Sequence, residues 1–216
     1  MTTDELLVLR QIAGSVSRET FDNLKQFESA FRRWSSRINL AAPSTLQHFW
    51  NRHVLDSAQL LRIAAPSNKW VDLGSGGGFP GAVLAILLKE HDDAGIVLVE
   101  SNRKKAAFLQ SVLGGLKTPS HILPSRIEDA HPLAGDADIV TARALAPLPL
   151  LLDLAEPWLS RGARGLFHKG RDFRAELANC GDAWKFDLVE HRSLVDDQSV
   201  ILEISGLERA RRTHGG

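Results

Sequence analysis

A single cysteine, Cys180, stands among 216 residues, and tyrosine is absent altogether. One thiol cannot build an internal disulfide framework or a cysteine-rich zinc site, and no metal is expected. Long apolar runs are missing too. The strongest, residues 82–88 and 144–152, fall far short of the roughly 18 residues that a membrane span needs. The opening Met1-Thr2-Thr3-Asp4-Glu5 is acidic, unlike the basic start of a signal peptide. Net charge is missing as well: 26 basic side chains balance 26 acidic ones, which speaks against a general nucleic-acid coat. Charge is spread nearly evenly along the chain, with no linker and no repeat. What remains is the expectation of a cytoplasmic, non-membrane protein, 44% apolar and long enough for a substantial core.

The apolar residues change their spacing once. Leu6, Leu7, Leu9 and Ile12 make a short amphipathic stretch, and Phe21, Leu24, Phe27, Phe31, Trp34 and Ile38 recur every three or four residues. Ser17 stands at the N-cap position of that second helix with Glu19 close behind. A third helix is expected over residues 44–63. From Lys69 onward, strands at 70–73, 96–99, 122–123, 137–141 and 163–168 alternate with helices at 82–89, 102–113 and 148–159. Residues 184–191 and 200–204 form a closing pair. Such alternation predicts an α/β fold with a mostly parallel sheet covered on both faces. The expected organisation is a helical extension over residues 1–65, a core over 66–205, and a flexible tail over 206–216 carrying Arg209, Arg211 and Arg212.

Between the first strand and the next helix lies Asp72-Leu73-Gly74-Ser75-Gly76-Gly77-Gly78-Phe79-Pro80-Gly81. Glycines there permit positive φ and let a ligand approach the backbone, and the helix start offers unpaired N–H groups. A dinucleotide fingerprint would want glycine at position 79, where this chain has Phe79. The spacing Asp72, Gly74, Gly76, Gly78 instead resembles motif I of class I S-adenosylmethionine-dependent methyltransferases. Asp72 would then face the cofactor. Glu100 ends the second strand, where a carboxylate accepts ribose hydroxyls; nicotinamide and methyl-donor cofactors share that device.

Absences narrow the chemistry. Methylating carbon-5 of a pyrimidine generally needs a thiolate, and Cys180 reads as a small buried apolar residue. Methylating an exocyclic amine commonly uses an Asn/Asp-Pro-Pro-Tyr/Phe motif after the fourth strand. This chain has Thr141-Ala142-Arg143-Ala144-Leu145-Ala146-Pro147 there. A purine ring nitrogen has a free lone pair and needs no base, so positioning and electrostatics suffice.

Separated segments now align with one family. Asn39-Leu40, Arg52-His53-Val54-Leu55-Asp56-Ser57 and the glycine loop ending in Gly78-Phe79-Pro80-Gly81 occur in order. Glu100-Ser101, Lys104-Lys105, Phe108-Leu109, Ser125-Arg126-Ile127-Glu128, Thr141-Ala142-Arg143-Ala144 and Lys169-Gly170 follow. Over roughly residues 20–205 the chain resembles the RsmG family, formerly glucose-inhibited division protein B (GidB). The resemblance implies a Rossmann-like, seven-stranded class I fold and an enzyme acting on 16S ribosomal RNA. S-adenosyl-L-methionine would be its cofactor, and nitrogen-7 of guanine 527, in the 530 loop, its target. The family's cofactor contacts fall on Gly74, Phe79, Ile127, Glu128 and Arg143. Gly77 replaces the alanine or proline of many members, a change expected only to loosen the loop.

The residues also bear reading on their own. Ile127 and Glu128 follow the third strand, where they can meet an adenine or simply connect elements. Arg143 ends the fourth strand, where it can hold a cofactor carboxylate, a substrate phosphate or a structural ion pair. His53 and Asp56 share a helix face and are expected to orient the active-site rim rather than move protons. Arg32, Arg33, Arg37 and Arg52 form the candidate RNA-facing cluster, with Lys169 a further phosphate contact. The expected partner is 16S rRNA or the small ribosomal subunit, met by a monomer without membrane contact. A small-molecule methyltransferase on the same core is the alternative; an oxidoreductase and a non-catalytic ribosome-assembly module stand behind it.

Overall fold

The structure, a computed structural model, describes residues 2–64 and 67–210. Helix α1 (Thr2–Ala13) is followed by α2 (Arg18–Ser35), which begins at Ser17. The Ser17 hydroxyl accepts the Thr20 N–H at 3.0 Å, and the Ser17 N–H donates to Glu90 at 2.8 Å. The first bond satisfies one of the N–H groups a helix start leaves open, and the second ties the cap to the core. Phe21, Leu24, Phe27 and Phe31 form the fully buried stripe of α2.

The helix expected over residues 44–63 does not form in one piece. A 3-10 turn (Pro43–His48) leads into a π-helical stretch (Trp50–Leu55), then α3 (Asp56–Ala58) and α4 (Leu60–Ala64). The wider turn buries the consecutive residues His53, Val54 and Leu55 together, and such local widening often accompanies functional positions.

The core then alternates as β1 (Lys69–Leu73), α5 (Gly81–Leu87), β2 (Gly95–Val99), α6 (Arg103–Gly115), β3 (Ser120–Leu123), α7 (His131–Ala134) and β4 (Ile139–Arg143). After these come α8 (Leu148–Leu159), β5 (Arg164–Lys169), α9 (Phe173–Ala178), β6 (Trp184–Arg192) and β7 (Val200–Arg209). Seven strands lie in the order β3-β2-β1-β4-β5-β7-β6. The first five are parallel, and β7 runs antiparallel to both neighbours. Side chains alternate across the sheet. Trp70, Ile96 and Leu98 join α1, α2, α5 and α6 in one apolar layer, while Val71, Leu73 and Val99 join α8 in the other. The N-terminal helices therefore share a core with the sheet.

Strand β7 continues to Arg209, pairing Trp184 with Arg209 and Lys185 with Glu208, so residues 206–209 belong to the sheet and not to a tail. Leu207 is buried there, and Arg209 bonds Asp153 at 3.0 Å over the Trp184 ring. Arg211 and Arg212 lie outside the described residues. Helix α9 was not foreseen. Cys180 is buried after it, and burial pushes its thiol pKa up. Among the described residues, no helix is long and apolar enough to cross a membrane. Strand order reverses between β1 and β4, and open α/β sheets place ligands outside the carboxyl ends of strands at such a reversal.

Candidate active site

At that reversal the chain leaves β1 through Gly74 and Gly76, both at positive φ (66° and 56°). The tight turn aims the Gly76 N–H at Glu100 Oε2, 2.7 Å away, while the Asn102 N–H donates to Oε1 at 2.6 Å. Glu100 is thereby fixed and nearly buried at the end of β2, with lone pairs left on both oxygens for hydroxyls from a ribose.

Asp72 and Gly78 hold the loop from behind. The expectation that Asp72 faces a cofactor is corrected by its complete burial. Its Oδ1 accepts the Thr141 hydroxyl at 2.7 Å and its Oδ2 the Gly81 N–H at 3.2 Å, which joins β1 to β4 and to the start of α5. Burial pushes its pKa up to about 6 against those hydrogen bonds. Gly78 packs rather than lines: a Cβ there would stand 2.7 Å from the Ala82 Cβ and 3.0 Å from Leu109. Gly77 does more than loosen the loop, since a Cβ would meet the Leu40 carbonyl oxygen at 2.7 Å and the Phe31 ring at 3.0 Å.

In front of the loop is a cavity of about 460 Å³ whose walls include Gly74, Gly76, Phe79, Glu100, Ile127, Glu128 and Arg143. Sequence reasoning singled out all seven. A second cavity of about 750 Å³ adjoins it and shares His53, Arg143, Ala144 and Leu145 with it.

That shared wall is tightly built. Phe79 stacks on His53 with ring centres 4.3 Å apart and planes 15° apart, and the Arg143 guanidinium lies 5.2 Å from the Phe79 ring centre. Arg143 Nη2 donates to His53 Nδ1 at 2.8 Å, while Nη1 donates to the Arg52 carbonyl at 2.7 Å and to Asp56 Oδ2 at 3.1 Å. Asp56 Oδ1 accepts from Gln59 at 2.9 Å, and the Asp56 carbonyl meets His168 Nε2 at 2.9 Å. Burial, then the Arg143 charge, lower the His53 pKa to about 4, so the ring is neutral at pH 7. With Nδ1 accepting, its proton resides on Nε2. His53 and Asp56 are thus parts of a scaffold.

The basic residues disperse. Arg32 bonds Glu28 and the Leu46 carbonyl, and Arg33 bonds Ser29. Arg37 lines a groove with Lys104 and Lys105, whereas Arg52 lines the larger cavity. The four arginines expected to face RNA together thus have separate surroundings: Arg32 and Arg33 bond residues of their own helix, Arg37 lines the groove and Arg52 the larger cavity. Lys169 also lines the larger cavity, but its ammonium is held by the Ala146 carbonyl at 2.8 Å and Glu176 at 2.7 Å. It is therefore not the open phosphate contact expected.

Sequence reasoning missed His168, Glu176 and, from the 195–199 segment, Val195, Asp196, Gln198 and Ser199, all of which line the larger cavity. His168 sits beside Arg143 across the β4–β5 pair, so the strand-end rule could have found it. The 195–199 segment joins the site only through folding and has no local signature.

A reversing parallel sheet with an antiparallel β7 set between β5 and β6, a glycine turn after β1 and a carboxylate at the end of β2 together have the form of a class I S-adenosylmethionine-dependent methyltransferase. Solved structures share the fold. One is a SAM-dependent methyltransferase from Aquifex aeolicus, with a TM-score of 0.54 and 14% identity, over 82% of this chain and 97% of that one. Another is a mutant of MtNAS in complex with S-adenosylmethionine, with a TM-score of 0.53 and 14% identity, over 85% and 71%. The profile of the GidB family, rRNA small subunit methyltransferase G, matches residues 20–202. A Ribosomal RNA small subunit methyltransferase G from Chelativorans sp. (strain BNC1) is 60% identical over 209 residues, 97% of this chain and all of that one. Its counterpart from Brucella canis is 53% identical over 201 residues, 93% and 94% of the two chains. The chain belongs to the GidB family and is an rRNA methyltransferase that uses S-adenosylmethionine.

Proposed function

We propose that the chain methylates nitrogen-7 of guanine 527, in the 530 loop of 16S rRNA, acting as a monomer in the cytoplasm on the small-subunit RNA. The observation that carries this reading is the wall of His53, Arg143, Ala144 and Leu145 common to the two cavities. A methyl donor in the smaller cavity and a base in the larger one would meet where the two cavities adjoin, along the edge these four residues form.

S-adenosylmethionine, when bound, supplies an electrophilic methyl group on a sulfonium. Glu100 would hold its ribose, Ile127 would cover its adenine, and the Gly74–Gly76 turn would let it approach the backbone. A guanine N7 lone pair would form the new N–CH3 bond as the S–CH3 bond breaks and its electron pair stays on sulfur, so the positive charge would move to the base, a neutral thioether would leave and no proton would be released. A neutral His53 and a fully hydrogen-bonded Asp56 suit that chemistry, because no general base is required. Arg143 and Phe79 brace the residues shared by the two cavities, which would hold the base and the donor in one orientation. The target base must be turned out of its stack to enter the larger cavity.

Labelled donor and small-subunit RNA lacking the modification test this. Label is expected in N7-methylguanine at the one loop position. Label at another base, or none in RNA or subunits, would sink it. Relatives at 60% and 53% identity named for ribosomal RNA weigh against the small-molecule alternative.

A further inference from the structure

We infer that Glu176 selects guanine at the target position by accepting hydrogen bonds from its N1–H and N2 amino group. This rests on the N7 reading above and assigns a residue that reading leaves without a role.

The side chain is unusually well held. Glu176 comes from α9 and carries both of its bonds on one oxygen: Oε2 accepts the Leu148 N–H at 2.6 Å and the Lys169 ammonium at 2.7 Å. Oε1 has no hydrogen bond among the described residues, and the side chain lines the larger cavity. The other two carboxylates lining that cavity differ. Asp56 has both oxygens engaged, by Gln59 and Arg143, and Asp196 has both engaged, by the Gln198 N–H and the Ser199 hydroxyl. Glu176 is therefore the cavity carboxylate positioned with an open acceptor.

Glu176 is linked to the shared wall through residues that line the same cavity. Arg143 pairs with His168 across β4 and β5, so Lys169 projects from one residue further along and carries Glu176 with it. Residues 144–147, all lining the cavity, span from the shared wall to the Leu148 N–H that Glu176 caps. Guanine has N7 on one side of its fused ring and N1–H with the N2 amino group on the other. A base with N7 against the Arg143–His53 wall points those donors away from it, toward Glu176. A carboxylate is an acceptor only. It suits guanine and opposes adenine, whose N1 is itself an acceptor and whose C2 carries no amino group.

The test compares wild type and Glu176→Gln on small-subunit RNA carrying guanosine or inosine at the target position. Inosine keeps N7, O6 and N1–H but lacks the N2 amino group. Wild type is expected to lose about tenfold or more in kcat/KM on inosine, as sites built to bond a substrate N–H reject analogues lacking it. In the glutamine variant one oxygen can still accept from Leu148 and Lys169, but an NH₂ faces the base. Its rate on guanosine should fall to about the inosine level, with discrimination between the two lost. A purely structural role would lower both rates by one factor and leave their ratio intact. Equal wild-type rates on both RNAs, or undiminished discrimination in the variant, would overturn the assignment of Glu176 alone. Absence of N7-methylguanine from the wild-type reaction would overturn the underlying reading and this assignment with it.

Discussion

Removing the Arg143 guanidinium takes the donor from three acceptors at once: the Arg52 carbonyl, Asp56 Oδ2 and His53 Nδ1. The side chain is 18% exposed and its Asp56 partner 15%, so water can replace the lost bonds only in part. Arg143→Ala is expected to cost about 2–3 kcal/mol of stability and to cut methyl transfer about a hundredfold, read by urea denaturation and by labelled-donor turnover. Arg143→Lys should recover little, because an ammonium cannot span the same acceptors as a planar fork. Wild-type turnover in either variant would remove Arg143 from the site. Two other buried groups oppose each other in pH. Asp72 has its pKa raised from 3.8 to about 6, so the folded state binds the extra proton between those values and stability falls as pH rises through them. His53 has its pKa lowered from 6.5 to about 4, so the unfolded state binds the extra proton and stability rises with pH across that window. Relative to wild type, Asp72→Asn should therefore gain stability as pH climbs from about 4 to 6, while His53→Gln should lose it from about 4 to 6.5. Denaturation midpoints at half-unit pH steps check both slopes, and parallel curves would refute the two shifts.

The glycine turn separates packing from binding at the level of the element. Gly78 has φ of 97° and atoms at 2.7 and 3.0 Å from where a Cβ would sit, so Gly78→Ala combines backbone strain with overpacking. It should cost about 2–4 kcal/mol. Gly76 has φ of 56° and nothing closer than 3.7 Å to a Cβ, so Gly76→Ala should cost only about 1–2 kcal/mol. The Gly76 Cβ, however, is added at the cavity wall, and donor affinity measured by calorimetry should fall at least tenfold for that variant. Equal losses of stability would refute the distinction. The motif pattern cannot reveal this difference: it marks Asp72, Gly76 and Gly78 alike, yet only Gly76 of the three reaches the cavity. Elements defined by their own apolar content are legible in the same sequence. Helix α8 falls on its expected residues, and β1, β2, β4 and β5 read as short apolar runs because the parallel sheet is covered on both faces. Helix α9 is only six residues long, and its one apolar pair, Phe173 and Leu177, is partly buried against the core, too short a stripe to read. The break within residues 44–63 comes from tertiary packing, since His53 turns toward Phe79 and Arg143, which lie far off in sequence.

At the scale of the whole molecule, balanced charge sets how RNA is held. With 26 charges of each sign there is no broad positive field, and affinity cannot come from massive counterion release. What the surface does offer is local. Arg37, Lys104 and Lys105 line one groove, Lys105 also reaches the smaller cavity with Arg126, and Arg52 lines the larger one. Arg32 and Lys169 are engaged within the protein. Contact with about four phosphates gives a slope of roughly −3 to −4 in log K against log salt. Binding of small-subunit RNA between about 50 and 200 mM salt should show that shallow slope. Replacing Arg37, Lys104 and Lys105 together with alanine should flatten it by about 2 to 3, at roughly 0.7–0.9 per lost phosphate contact. The same triple variant leaves the shared wall and Glu176 untouched, so discrimination between guanosine and inosine at saturating RNA should persist while affinity drops. A wild-type slope steeper than roughly −7 would demand a charge field this chain does not have. An unchanged slope in the triple variant would place the phosphates on another face of the protein.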